Sequence, residues 1–93
     1  MVKHIVLFNV KEGVDAAAVA AIAASVLEPL VGKIRGLTHV EVRKTYAGAD
    51  FALYCELESR EAMDAYAVHP LHEEAKTHFF HMLSSRTAAD YEV

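Results

Sequence analysis

Along this 93-residue chain the apolar positions switch between a two-residue and a helical period, and the order of those switches restricts the fold most. Residues 2–10, VKHIVLFNV, alternate: Val2, His4, Val6, Phe8 and Val10 share one face, Lys3, Ile5, Leu7 and Asn9 the other. Glu12-Gly13 breaks the strand, and Asp15 is a suitable N-cap for a helix. Val19, Ile22, Val26 and Leu30 then step at helical spacing, with Ala23 and Leu27 beside them. Pro29 lacks the N–H that the next turn needs, so this helix kinks or ends there. Residues 37–46 and 50–58 return to the two-residue period around Gly48, which predicts a hairpin. Ser59 opens S-R-E-A, an N-cap signal for a short helix through about Val68. Pro70 excludes His69 from helical dihedrals and suits the first turn of a further helix. There Leu71, Ala75, His78 and Met82 form a stripe, with Phe79 next to it. Residues 84–93 read as a weaker final strand.

The order strand, helix, strand, strand, helix, strand is that of a split βαβ, ferredoxin-like α+β domain, with its helices on one face of an antiparallel sheet. A single domain over residues 1–93 is expected, since no repeat or linker interrupts the pattern. The face away from the helices would carry Ile5, Leu7, Ala52 and Tyr54. An apolar sheet face in water marks an interface, and two such sheets back to back would bury it. The expected partner is therefore a second copy of the chain.

Composition narrows the partners further. A net charge of −4 argues against nucleic acid, which selects basic surfaces. The longest apolar run, Ala16 to Ala24, is far short of the roughly 20 residues that span a bilayer, so no membrane partner is expected. One cysteine, Cys55, cannot form an internal disulfide, which points to a reducing compartment and a cytoplasmic location. It alternates with Phe51, Leu53 and Leu57, as a buried residue would. The glycines are isolated, with no dinucleotide or phosphate-loop fingerprint, and no cofactor is expected. His69 with His72, and His78 with His81, have i,i+3 spacing, but no further ligand motif supports a metal site.

Four stretches carry a family resemblance: H-I-V-L-F-N-V at His4 to Val10, K-I-R-G-L at Lys33 to Leu37, A-Y-A-V-H-P-L-H at Ala65 to His72, and A-D-Y-E at Ala89 to Glu92. Together they resemble the stress-responsive dimeric A/B barrel (Dabb) family. The resemblance implies a ferredoxin-like fold paired into a dimeric α/β barrel. It also implies a pocket for a small hydrophobic or carbonyl-bearing ligand, lined by His and Tyr. The family includes stress-induced plant proteins, bacterial proteins of unknown role and plant polyketide cyclases. In the cyclases the equivalents of Tyr66 and His72 carry acid–base work in ring closure. Carried over, His72 would act as general base and Tyr66 as hydrogen-bond donor to a polarised carbonyl. His4, Val6, Phe8, His69 and His78 would line the binding pocket. Two features depart from the pattern: Ile34-Arg35-Gly36 replaces the usual I-P-G, and Ala24, Leu27 and Leu83 stand where the cyclases place aromatics.

Residue chemistry is compatible with these roles and with simpler ones. A histidine in a first helical turn is disfavoured as imidazolium by the helix dipole, which suits a base. His69 can equally satisfy backbone groups at a helix start, and Tyr66 can be an amphipathic helix residue. Three functions follow as expectations: a ligand-binding dimer, a cofactor-free cyclase, lyase or isomerase, and a purely structural stress-protective protein.

Overall fold

In a computed structural model describing residues 1–93, the alternating segments become four strands: β1 (Val2–Val10), β2 (Leu37–Lys44), β3 (Phe51–Leu57) and β4 (Leu83–Glu92). They form one sheet in the order β2-β3-β1-β4, antiparallel throughout. The helices are α1 (Ala16–Leu27), α2 (Arg60–Ala67) and α3 (Pro70–Lys76), with short 3-10 turns at Glu28–Leu30 and Phe80–Met82. The fold is ferredoxin-like, with the helices on one face of the sheet.

Strand alternation decides the core. Val2, His4, Val6 and Phe8 of β1 are buried under the helices, as are Phe51, Leu53, Cys55 and Leu57 of β3. The Phe8 and Phe51 rings stack at 4.6 Å, and Phe79 meets Phe8 edge-on at 5.9 Å. Asp15 caps α1 by accepting from the N–H groups of Ala17 and Ala18, and Ser59 caps α2 by accepting from Ala62. At Pro29 the chain tightens into the 3-10 turn, as the missing N–H requires.

α1 buries most of the expected face, with Ile22 as the exception. Val19, Ala20, Ala23 and Leu27 are buried, whereas Ile22 is 36% exposed. The helix rotates its small side chains toward the sheet, because alanine permits a closer approach than isoleucine and leaves fewer voids. A second difference concerns α3, which ends at Lys76 and does not continue the stripe to Met82. The Thr77 hydroxyl donates to the Glu74 carbonyl at 2.6 Å, and the chain turns toward β4. This inward turn buries Phe79 and leaves His78 exposed.

The final strand is also stronger than its sequence suggests. β4 pairs with β1 over nearly its whole length, yet every residue from Ser84 to Glu92 is exposed. The helical layer stops short of this edge. Arg86, Ala88 and Asp90 lie on the helix side of the sheet, opposite Phe8, Val6 and His4.

Candidate functional site

His4 is buried in the core, at 6% exposure. Its strand position puts Cys55 of β3 on one side and Asp90 of β4 on the other. The Asp90 carboxylate lies in hydrogen-bond contact with His4 Nδ1. A carboxylate only accepts, so Nδ1 carries the hydrogen and Nε2 of a neutral His4 is the acceptor.

The break between α2 and α3 builds the second half of the site. Tyr66 lies in the last turn of α2 and is fully buried. Pro70 then restarts the helix, and His69 serves as its N-cap, with Nδ1 accepting from the Leu71 N–H at 3.1 Å. The reversal brings His72 onto Tyr66, with ring centroids 4.2 Å apart and planes inclined by 29°. His4 meets the Tyr66 ring edge-on at 6.3 Å. His72 Nδ1 is buried without a hydrogen-bond partner.

A cavity of about 170 Å³ lies between sheet and helices. His4, Val6 and Phe8 of β1 and His72 of α3 line it, along with Leu53, Met63, Phe79 and Phe80. Tyr66 stands behind His72 and not on the cavity wall; its hydroxyl faces the Cys55 thiol at 4.0 Å. His69 is outside because it caps α3, and His78 is outside because α3 ends before it. The His78 ring instead pairs with Glu74 at 3.2 Å in solvent. No three His, Cys, Asp or Glu side chains gather as metal ligands would.

Three residues escaped the sequence reading. Asp90 holds His4, and Lys76 and Arg86 line the cavity. Their signal is one of register: once β4 is laid antiparallel to β1, Asp90 falls opposite His4 and Arg86 opposite Phe8.

Burial sets the protonation states. It lowers the His72 pKa from the usual 6.5, and the Lys76 ammonium lowers it further. Burial, more than the helix terminus, thus keeps this imidazole neutral at pH 7. Burial pushes the Cys55 thiol up to about 12 and the Tyr66 phenol upward too, so neither ionises at neutral pH.

A pH dependence of stability follows. The folded pKa of His72 lies below its unfolded value, so the unfolded chain binds the extra proton. Stability is complete above about pH 6.5 and falls with acidification toward the lower folded pKa. Denaturation midpoints at pH 7.5, 6.5 and 5.5 should decline for the native protein. In His72→Phe, which keeps an aromatic ring against Tyr66, the decline should flatten. Glu56 and Glu73, whose pKa values are lowered by their hydrogen-bond partners, act in a separate window below about 4.5.

The family and its solved relatives agree with this architecture. The model of the Stress responsive A/B Barrel Domain, Dabb, matches residues 2–93, and the chain belongs to that family. No curated protein matches the sequence. A dimeric protein of unknown function with a ferredoxin-like fold from Bacteroides fragilis is 31% identical, with a TM-score of 0.88 over 99% of this chain and 95% of that one. An Arabidopsis thaliana protein is 26% identical, with a TM-score of 0.84 over 100% and 95%. A Dabb family protein from Mesorhizobium loti, at 20% identity and a TM-score of 0.74 over 99% and 95%, shares the fold.

Proposed function

We propose that this protein is a homodimer in which each protomer binds a small apolar molecule in the cavity beneath α2 and α3. The observation that carries this reading is His72 Nδ1, a buried polar atom without a partner, on a residue lining an otherwise largely apolar cavity. Leaving such a group unsatisfied costs roughly 1–3 kcal/mol. The volume, about 170 Å³, is close to that of engineered cavities that take up benzene. Dimerisation rests on the apolar outer sheet face and on the dimeric relative from Bacteroides fragilis. A single buried thiol fits a cytoplasmic location.

Titrating benzene into the protein tests the pocket by NMR. Methyl resonances of Val6, Leu27 and Leu53 should shift, while those of Val31 and Val93, both exposed, should not. No selective shift would overturn the reading and leave a purely structural protein.

The His4–Asp90 pair favours a second reading, a cofactor-free cyclase, lyase or isomerase. Neutral His72 would take a proton from the carbon next to a carbonyl, and the paired His4 would hold the polarised oxygen when protonated at Nε2. Tyr66 then acts as a positioning residue through its ring stack on His72. On a carbonyl substrate, His72→Ala should lower the rate by ~10²–10⁴. Tyr66→Phe should leave the rate nearly unchanged, because its hydroxyl faces Cys55. A large loss in Tyr66→Phe would return the hydroxyl to the chemistry.

A further inference from the structure

The cavity wall has an unusual charge pattern for this chain. Thirteen acidic residues outnumber nine basic ones, yet no Asp or Glu lines the cavity, whereas Lys76 and Arg86 both do. They come from different layers, Lys76 from the last turn of α3 and Arg86 from β4 opposite Phe8. The Arg86 guanidinium makes no hydrogen bond or ion pair within the protein. Lys76 is shared: its ammonium meets Glu73 at 2.7 Å and lies 5.3 Å from the centre of the Phe80 ring. Arg86 is therefore the cavity cation with unused donors. A guanidinium offers a planar fork of N–H donors that matches a carboxylate.

Polarity is also divided along β1. His4 stands beside one part of the cavity, and the Phe8–Arg86 pair is four strand residues away, about 13 Å along the strand. Phe8, Phe79 and Phe80 supply aromatic surface at the Arg86 end. We infer that the molecule held in this cavity is a small apolar carboxylic acid, its hydrocarbon part among Phe8, Phe79 and Phe80 and its carboxylate on Arg86. This inference rests on the pocket proposed above and specifies its ligand class. A volume of about 170 Å³ limits the apolar part to roughly the size of one benzene ring.

Benzoate and benzyl alcohol are the probes, alike in size and differing in charge at pH 7. Both are titrated into the intact protein and followed by the resonances of Val6, Leu53 and Phe8. Benzoate should bind at least ~10-fold more tightly than the alcohol, and the advantage should shrink as salt is raised. Arg86→Gln should remove the difference between acid and alcohol, and Arg86→Lys should restore part of it. Arg86 is exposed and unpaired, so these variants keep the fold. Equal affinities for the two probes, or a preference for benzoate that survives in Arg86→Gln, would overturn the acid assignment and leave the pocket standing. If neither probe moves the lining resonances, the pocket and the assignment fall together.

Discussion

Leu7→Lys should abolish dimerisation. Leu7 projects from the sheet face away from the helices and is 44% exposed in the protomer. Its cross-strand neighbours are Ala52 on β3 and Thr87 on β4, and Ile5, Tyr54 and Ala89 extend the same face. Lys3 and Glu56, charged groups on this face, are already satisfied internally. The Lys3 ammonium donates to the Tyr54 hydroxyl at 2.7 Å, and that hydroxyl donates to Glu56 at 2.6 Å. Such a cluster can enter an interface without leaving orphaned groups. A new ammonium at position 7 has no such partner. Its desolvation costs several kcal/mol in each protomer, enough to weaken association by a thousandfold or more. Sedimentation at micromolar concentration should give a dimer for the native protein and a monomer or unfolded chain for Leu7→Lys. Ile22→Lys, on the outward side of α1, should remain dimeric. A dimeric Leu7→Lys, or a folded native monomer, would contradict back-to-back packing of the sheets.

Strand faces were legible because their signal is local. Val2, His4, Val6 and Phe8 alternate with more polar or outward residues, and one register satisfies them all. The orientation of α1 was legible only in part, because a helix of alanines offers little contrast between faces. Ranking by bulk selected Ile22, whereas close packing selected Ala20. In the candidate site, His4 and His72 could be placed from a strand face and a proline break. Asp90 could not, since its meeting with His4 depends on pairing the first strand with the last, 86 residues away. The direction of the Tyr66 hydroxyl depends on how α2 packs over Cys55, which no spacing encodes. His78 was misplaced for a local reason: the helix stops at Lys76, and the hydroxyl of Thr77 gave only a weak sign of it.

Gly36→Ala should be among the most destabilising single-methyl additions in the chain. Gly36 has φ of +86°, in the left-handed region that disfavours a side chain. A Cβ there would also lie 2.6 Å from the Ala62 Cβ in the first turn of α2. The backbone cannot easily retreat, because the Gly36 carbonyl accepts from the Glu58 N–H at 2.9 Å just before α2 begins. Dihedral strain contributes about 1–3 kcal/mol and overpacking about 1–3 more. The sum, about 2–6 kcal/mol, is a large share of the ~5–15 kcal/mol that a domain has in total. At fixed protein concentration the melting temperature should fall by roughly 10 °C or more. Gly32 separates the two causes. It has the same φ of +86°, yet nothing lies within 4 Å of its added Cβ, so Gly32→Ala should show the dihedral cost alone. Gly36→Ala combined with Ala62→Gly should recover the contact part, which a double-mutant cycle measures directly. The effect should also reach the site. α2 carries Met63 on the cavity wall and Tyr66 against His72, so pushing the helix off Gly36 displaces both. Benzene binding should therefore weaken in Gly36→Ala and return in the double variant. Equal stability losses in Gly36→Ala and Gly32→Ala would show that α2 does not rest on this glycine.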